Sequence, residues 1–158
     1  MLSIDIICVG KLKEKYLQEA CNEYIKRLSA YCKLSVTEIA ETPLPKSASA
    51  AVIAAALRNE YGRMEIAERA ALFALCVEGE RMSSQKFAGT ISAFAAGGVS
   101  RLVFVIGGSN GLSDELKKRA DFRLSMSDMT FPHHLARVML LEQVYRAFNM
   151  IGGGRYHK

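Results

Sequence analysis

At 158 residues, half of them hydrophobic and 23% charged, the chain suits one globular domain with one core. No apolar run is long enough to cross a bilayer. The four cysteines, Cys8, Cys21, Cys32 and Cys76, form no C-x-x-C pair, which excludes a zinc knuckle or a redox motif of that kind. The net charge of +5 and pI near 9.1 permit a polyanionic partner without requiring one.

The chain opens MLSIDIICVGKLKEK, with its apolar stretch before its lysines. A secretory signal needs the reverse order and a small-residue cleavage site. We therefore read Leu2 to Val9, closed by Gly10, as a buried first strand and expect a cytoplasmic protein. Tyr16, Leu17, Ala20, Cys21, Tyr24, Ile25 and Leu28 recur at helical spacing and predict a helix from about Lys13 to Ala30. Leu34 and Val36 alternate with polar neighbours in a second strand to about Ile39. Thr42 to Ser47 holds two of the three prolines and reads as a loop. It is either a substrate gate or a plain connector. Alanine-rich Ser47 to Ala70 predicts one long helix, weakened at Gly62. Ala71 to Val77 is a short continuous apolar run, a buried strand, and Glu78 to Met82 reads as a loop.

Ser83 or Ser84 can cap the next helix, which carries Phe87, Ile91 and Phe94 and stops at Gly97-Gly98. Leu102 to Ile106 is another fully apolar strand. A glycine loop, Gly107 to Gly111, follows, and Ser113 caps a short helix through Ala120. Leu124, Met126 and Met129 alternate with Ser125 and Ser127 as a short strand. Pro132 suits a first helical position. From Leu135 to Phe148 the apolar residues cover more than one face of a helix, as in helices buried on more than one side. Strands alternating with helices imply an α/β fold with a largely parallel sheet. The cysteines sit mostly among apolar residues and read as buried free thiols.

Ligands of open α/β sheets bind beyond the carboxyl ends of strands. Three ends stand out: Leu75 to Glu78, Ile106 to Gly111, and Met126 to Phe131. Glycines at 107, 108 and 111 allow close backbone approach, but GG-x-x-G is not a dinucleotide fingerprint and no P-loop lysine follows. His133 and His134 are adjacent and point apart on a helix, a poor metal pair; we expect no metal site. No G-x-S-x-G elbow is present. From Met129 onward four bases, Arg137, Arg146, Arg155 and Lys158, face one acid, Glu142. The tail ends in Arg155, Tyr156, His157 and Lys158, side chains that stack on bases and bind phosphate. The glycines before them either form a hinge over a site or lead into a frayed terminus.

Three pieces together resemble a known family: IGGSNGLS (Ile106 to Ser113), LSMSDMTFPHHLARVMLLEQVYRA (Leu124 to Ala147), and the terminal Tyr156-His157. They resemble the ribosomal RNA large-subunit methyltransferase H (RlmH) family of SPOUT methyltransferases, over essentially the whole chain. The tail from Gly152 to Arg155 and Lys158 departs from the family pattern, and His134 stands where a proline is common.

The resemblance implies one SPOUT-type α/β knot domain, its C-terminal part threaded as a trefoil. It implies S-adenosyl-L-methionine as cofactor, with Leu75, Gly107, Met126, Ser127, Asp128, Met129, Thr130 and Phe131 at the family's contact positions. The implied reaction is methylation at N3 of a pseudouridine in helix 69 of 23S rRNA, on the assembled 70S ribosome. His133, Arg137, Tyr156 and His157 match the substrate side. We expect Arg137 and Arg155 on phosphate, Tyr156 in stacking, and His133 or His157 in orientation or proton transfer. The resemblance also implies a homodimer in which each site borrows from its partner. Competing readings are a SPOUT tRNA methyltransferase and a non-catalytic ribosome-associated RNA-binding protein.

Overall fold

Five strands make one sheet in the computed structural model, which describes residues 1–156. They are β1 (Ser3–Val9), β2 (Lys33–Ile39), β3 (Ala71–Arg81), β4 (Arg101–Ile106) and β5 (Phe122–Ser125). Their order is β2-β1-β4-β3-β5, and every neighbouring pair is parallel. The helices are α1 (Lys15–Leu28), α2 (Ala50–Gly62), α3 (Ser84–Ala96), α4 (Asp114–Arg119) and α5 (His133–Ile151).

The central strands are apolar on both faces, and period-2 alternation divides them between two cores. On one face lie Ile4, Ile6, Phe73, Leu102 and Phe104, under α1, α3 and α5. On the other lie Ile7, Leu72, Ala74, Val103 and Val105, with Leu116 of α4 and Tyr61 of α2. The first face is the larger. Phe73 stacks on Phe104 with ring centroids 4.7 Å apart and on Phe122 at 5.7 Å. Full burial of each such side chain contributes about 1.5–3 kcal/mol. Helix α5 packs against both α1 and α3, and Leu140, Leu141, Val144 and Ala147 are fully buried. That accounts for the apolar residues on more than one of its sides. Cys8, Cys21 and Cys32 are buried free thiols and Cys76 is half-buried. Burial pushes the Cys8 thiol up to about 12.

Several boundaries differ from expectation. The long helix ends at Gly62, not Ala70. Residues 63–70 have no regular structure, and Met64, Ile66 and Ala70 pack onto the second core from there. Strand β3 runs past Val77 to Arg81 instead of giving way to a loop. Its pairing is nevertheless interrupted: Leu124 faces both Leu75 and Glu80, so residues 76–79 bulge from the ladder. Strand β5 begins at Phe122 and stops at Ser125, so Met126 and Met129 lie beyond it. Pro132 is the N-cap rather than the first helical residue. Its φ of −54° leads into α5, and its carbonyl accepts the Ala136 N–H at 2.9 Å.

Candidate active site

In a parallel sheet all carboxyl ends lie at one edge, and the register here brings three of them together. Leu75 of β3 pairs with Ile106 of β4 on one side and with Leu124 of β5 on the other. The segments after these residues therefore start side by side and enclose a cavity of about 360 Å³, within the usual range for small-molecule sites. Leu75, Gly107, Met126, Met129, Thr130 and Phe131 all line it, and so does Ser127. Of the expected cofactor positions, Asp128 alone is absent from the lining. Its exposed carboxylate pairs with Arg81 instead.

The glycine loop is shaped by backbone crowding. A Cβ on Gly107 would run into the backbone of Gly111. Gly111 adopts φ +77°, a conformation that favours glycine, and its N–H donates to the Gly108 carbonyl at 3.1 Å. Glu41, just past β2, accepts the Ser109 N–H at 2.9 Å and fits against Gly108, where a Cβ would come within 2.7 Å of its Oε1. The last loop is braced by its own serines. Ser125 Oγ donates to the Ser127 carbonyl at 3.0 Å, and Ser127 Oγ accepts the Met129 N–H at 3.0 Å. The result is an apolar slot with backbone polar groups at its edge, suited to a flat heterocycle carrying a polar tail.

Comparison with known proteins identifies the family. The family profile described as "Predicted SPOUT methyltransferase" matches residues 2–157. A protein of Acetivibrio thermocellus named "Ribosomal RNA large subunit methyltransferase H" is 46% identical, covering 99% of this chain and all of that one. The chain belongs to the ribosomal RNA large subunit methyltransferase H family of SPOUT methyltransferases. Relatives of the same name from Bifidobacterium animalis subsp. lactis and Carboxydothermus hydrogenoformans are each 45% identical over the same coverage. Among solved structures, a probable methylase family protein from Haemophilus influenzae aligns with TM-score 0.56 at 13% identity, over 98% of this chain and 70% of that one. The tRNA (m1G37) methyltransferase of Aquifex aeolicus aligns with TM-score 0.52 at 16% identity, over 92% of this chain and 69% of that one. At such identities these two structures establish the fold alone.

Among the described residues of this SPOUT chain, the expected substrate-side side chains do not gather at one point. His133, at the start of α5, lines the cavity. Burial holds its imidazole below the usual value, helped by His134 and Arg137 and opposed by Glu41 and Glu14. Arg137 is buried, and its guanidinium is bonded to Glu38 and to the Gly10 carbonyl, so it is not free to grip phosphate. Tyr156 lies back along α5. The chain reverses through Gly153 at φ +74°, and Asn149 Oδ1 accepts the Tyr156 N–H at 3.0 Å. The Tyr156 ring meets Tyr145 at 4.9 Å and the Arg146 guanidinium at 4.8 Å, and its hydroxyl donates to Glu142 at 3.2 Å. Burial, with hydrogen bonds to Tyr24 and Glu142, pushes that phenol up to about 12. Arg155 is exposed. His157 and Lys158 lie outside the described residues.

Two lining residues escaped the sequence reading as functional side chains. Glu78 stands in the β3 bulge, and Lys117 on α4 reaches it at 2.5 Å. That hydrogen bond holds the Glu78 carboxyl below its usual value. Glu78 was visible as part of a strand end; Lys117 had no sequence signal, being one base in a basic helix turn. A second cavity of about 350 Å³ lies on the other side of residues 124–126, between α3 and α5, with Glu142 and Tyr24 on its wall.

Proposed function

We propose that this chain transfers a methyl group from S-adenosyl-L-methionine to large-subunit ribosomal RNA. The acceptor is N3 of a pseudouridine in helix 69 of 23S rRNA, on the assembled 70S ribosome in the cytoplasm. The observation that carries the reading is the shared cleft of Leu75, Gly107 and Thr130, in a chain 46% identical to a relative named for methylating large-subunit rRNA. The family's trefoil knot and a single domain spanning residues 1–158 belong to the same proposal. No feature of the cleft favours tRNA over rRNA, and the likeness to a tRNA enzyme is one of fold.

The cleft fits the cofactor on its own chemistry. Leu75, Ile106, Leu124 and Phe131 offer apolar walls, and the close backbone approach at Gly107 and Gly111 leaves no room for side chains between loop strands. When bound, S-adenosyl-L-methionine supplies a methyl group already activated on a sulfonium. What remains for the protein is in-line positioning and removal of the N3 proton. His133 lines the cavity with its imidazole biased toward the neutral form, which can accept a proton near neutral pH. His157 is the other proposed participant. Asp128, paired with Arg81 at the rim, acts on the loop's shape rather than on the ligand directly.

Tyr156 contacts Glu142, nine residues beyond His133 on α5, or roughly 13 Å along the helix axis. A site that uses both residues is therefore best completed by the tail of a second copy, and we propose a homodimer. The test is transfer of labelled methyl to ribosomes lacking the modification, compared with free rRNA and with tRNA. Label on 23S rRNA of ribosomes alone is the expected result. Label on tRNA would refute it, and so would cofactor binding without transfer to any of them.

A further inference from the structure

Arg137 is 4% exposed although its guanidinium carries a permanent charge. Its Nη1 donates to Glu38 Oε2 at 2.8 Å and its Nη2 donates to the Gly10 carbonyl at 3.2 Å. The same Glu38 oxygen accepts the Leu12 N–H at 2.8 Å. One carboxylate at the end of β2 thus ties α5 to the turn between β1 and α1. Burial works to raise the Glu38 carboxyl, but hydrogen bonds from Arg137 and Leu12 outweigh it and leave it below the usual carboxylate value.

The turn that is tied down touches the imidazoles. Gly10 sits at φ +98°, and a Cβ there would lie 3.6 Å from His133 Nε2 and 3.8 Å from His134 Nε2, so the two rings, expected to point apart, instead meet at 4.2 Å beside it. His134 Nδ1 is 3.3 Å from Glu14 Oε2. His133 and Arg137 are four residues apart and share a helix face. The bonds of Arg137 therefore set how the first turn of α5 sits against Gly10, and with it where the His133 ring enters the cavity.

We propose that Glu38 and Arg137 are a positioning pair for His133, with Glu38 acting through Arg137 and the Gly10–Leu12 turn and neither residue touching rRNA. The proposal rests on the methyl-transfer reading above, in which His133 faces the acceptor base. A ring displaced by an ångström is enough to cost about a hundredfold in rate. The groups that face His133 are His134 and Arg137 from α5, Glu14 from the start of α1, and Glu41 from beyond β2. Replacing Glu38 with a neutral residue leaves the Arg137 charge unopposed beside the imidazole, so the His133 midpoint must move further down.

The experiment compares the full-length chain with Glu38→Gln and Glu38→Asp, each checked for a cooperative melt. Methyl-transfer kinetics on ribosomes, S-adenosylhomocysteine calorimetry and NMR titration of the imidazoles are read together, with His133 assigned through its loss in His133→Gln. The expected result for Glu38→Gln is a kcat about a hundredfold lower, with KM for ribosomes and cofactor affinity unchanged and the His133 midpoint lowered. Glu38→Asp keeps the charge on a shorter stem and shifts kcat and midpoint the same way by less, so it decides the matter if Glu38→Gln does not fold. An unmoved His133 titration in either folded variant, or an unmoved kcat in both, overturns the pair. Should the unmodified protein transfer no methyl to ribosomes, the methyl-transfer reading fails. The same NMR spectra still decide whether Glu38 positions His133, through the contact of its ring with Gly10, which loss of charge alone would leave in place.

Discussion

A methyl group on Gly107 has nowhere to go, because the backbone of Gly111 already occupies its place. Gly107→Ala must push the two ends of the glycine loop apart, and the loop is one wall of the cleft. We expect cofactor affinity to fall about tenfold or more by calorimetry, about 1.4 kcal/mol. The melt should report a loss of about 1–3 kcal/mol, typical of overpacking. An unchanged affinity would mean that the loop does not bound the site. Arg137 teaches a different lesson. From spacing it reads as one more base in a basic C-terminal stretch. Only its partners, Glu38 and the Gly10 carbonyl, turn it into an internal strut. Glu38 lies 99 positions earlier in the chain, a separation that no local pattern spans.

The helices differ in how well their ends were written. Three serine caps are local chemistry: Ser49, Ser83 and Ser113 each accept the N–H three residues on. Ser83 and Ser113 were legible for that reason. The cap at Ser113 is buried and that at Ser49 exposed. Ser113→Ala should therefore cost about 2 kcal/mol and Ser49→Ala about 0.5 kcal/mol, the two ends of the range for such caps. Urea melts of the two variants check the order, and equal losses would contradict it. The end of α2 was legible only as a weak point at Gly62. Alanine and glutamate favour helix past Gly62, yet Met64, Ile66 and Ala70 pack on the second core without it. Tertiary burial overrode a propensity worth only tenths of a kcal/mol per residue. The bulge at 76–79 was likewise hidden: within it the Arg123 backbone, 44 residues on, passes 2.8 Å from where a Cβ on Gly79 would sit.

At the scale of the molecule, the apolar residues on more than one side of α5 are consumed largely within the chain, by α1 and α3. The case for a dimer therefore rests elsewhere. It rests on the separation of Tyr156 from His133 along α5, and on the cavity between α3 and α5 beside Glu142, the residue that Tyr156 bonds. Light scattering at assay concentration should give about twice the 17.4 kDa chain mass. A monomeric mass would refute the shared site.

The sequence by itself determined the alternation of strands and helices, the two-faced burial of the central strands, and the three strand ends at which a ligand could sit. Each depends on residues close together in the chain, through side-chain period, caps and glycine freedom. Tertiary structure alone decided that those ends adjoin, because strand order and register place Leu75 between Ile106 and Leu124. It also decided that Asp128 faces outward and that Arg137 is buried. These are outcomes of long-range packing and of which charge finds which partner, and neither is encoded in any short stretch of residues.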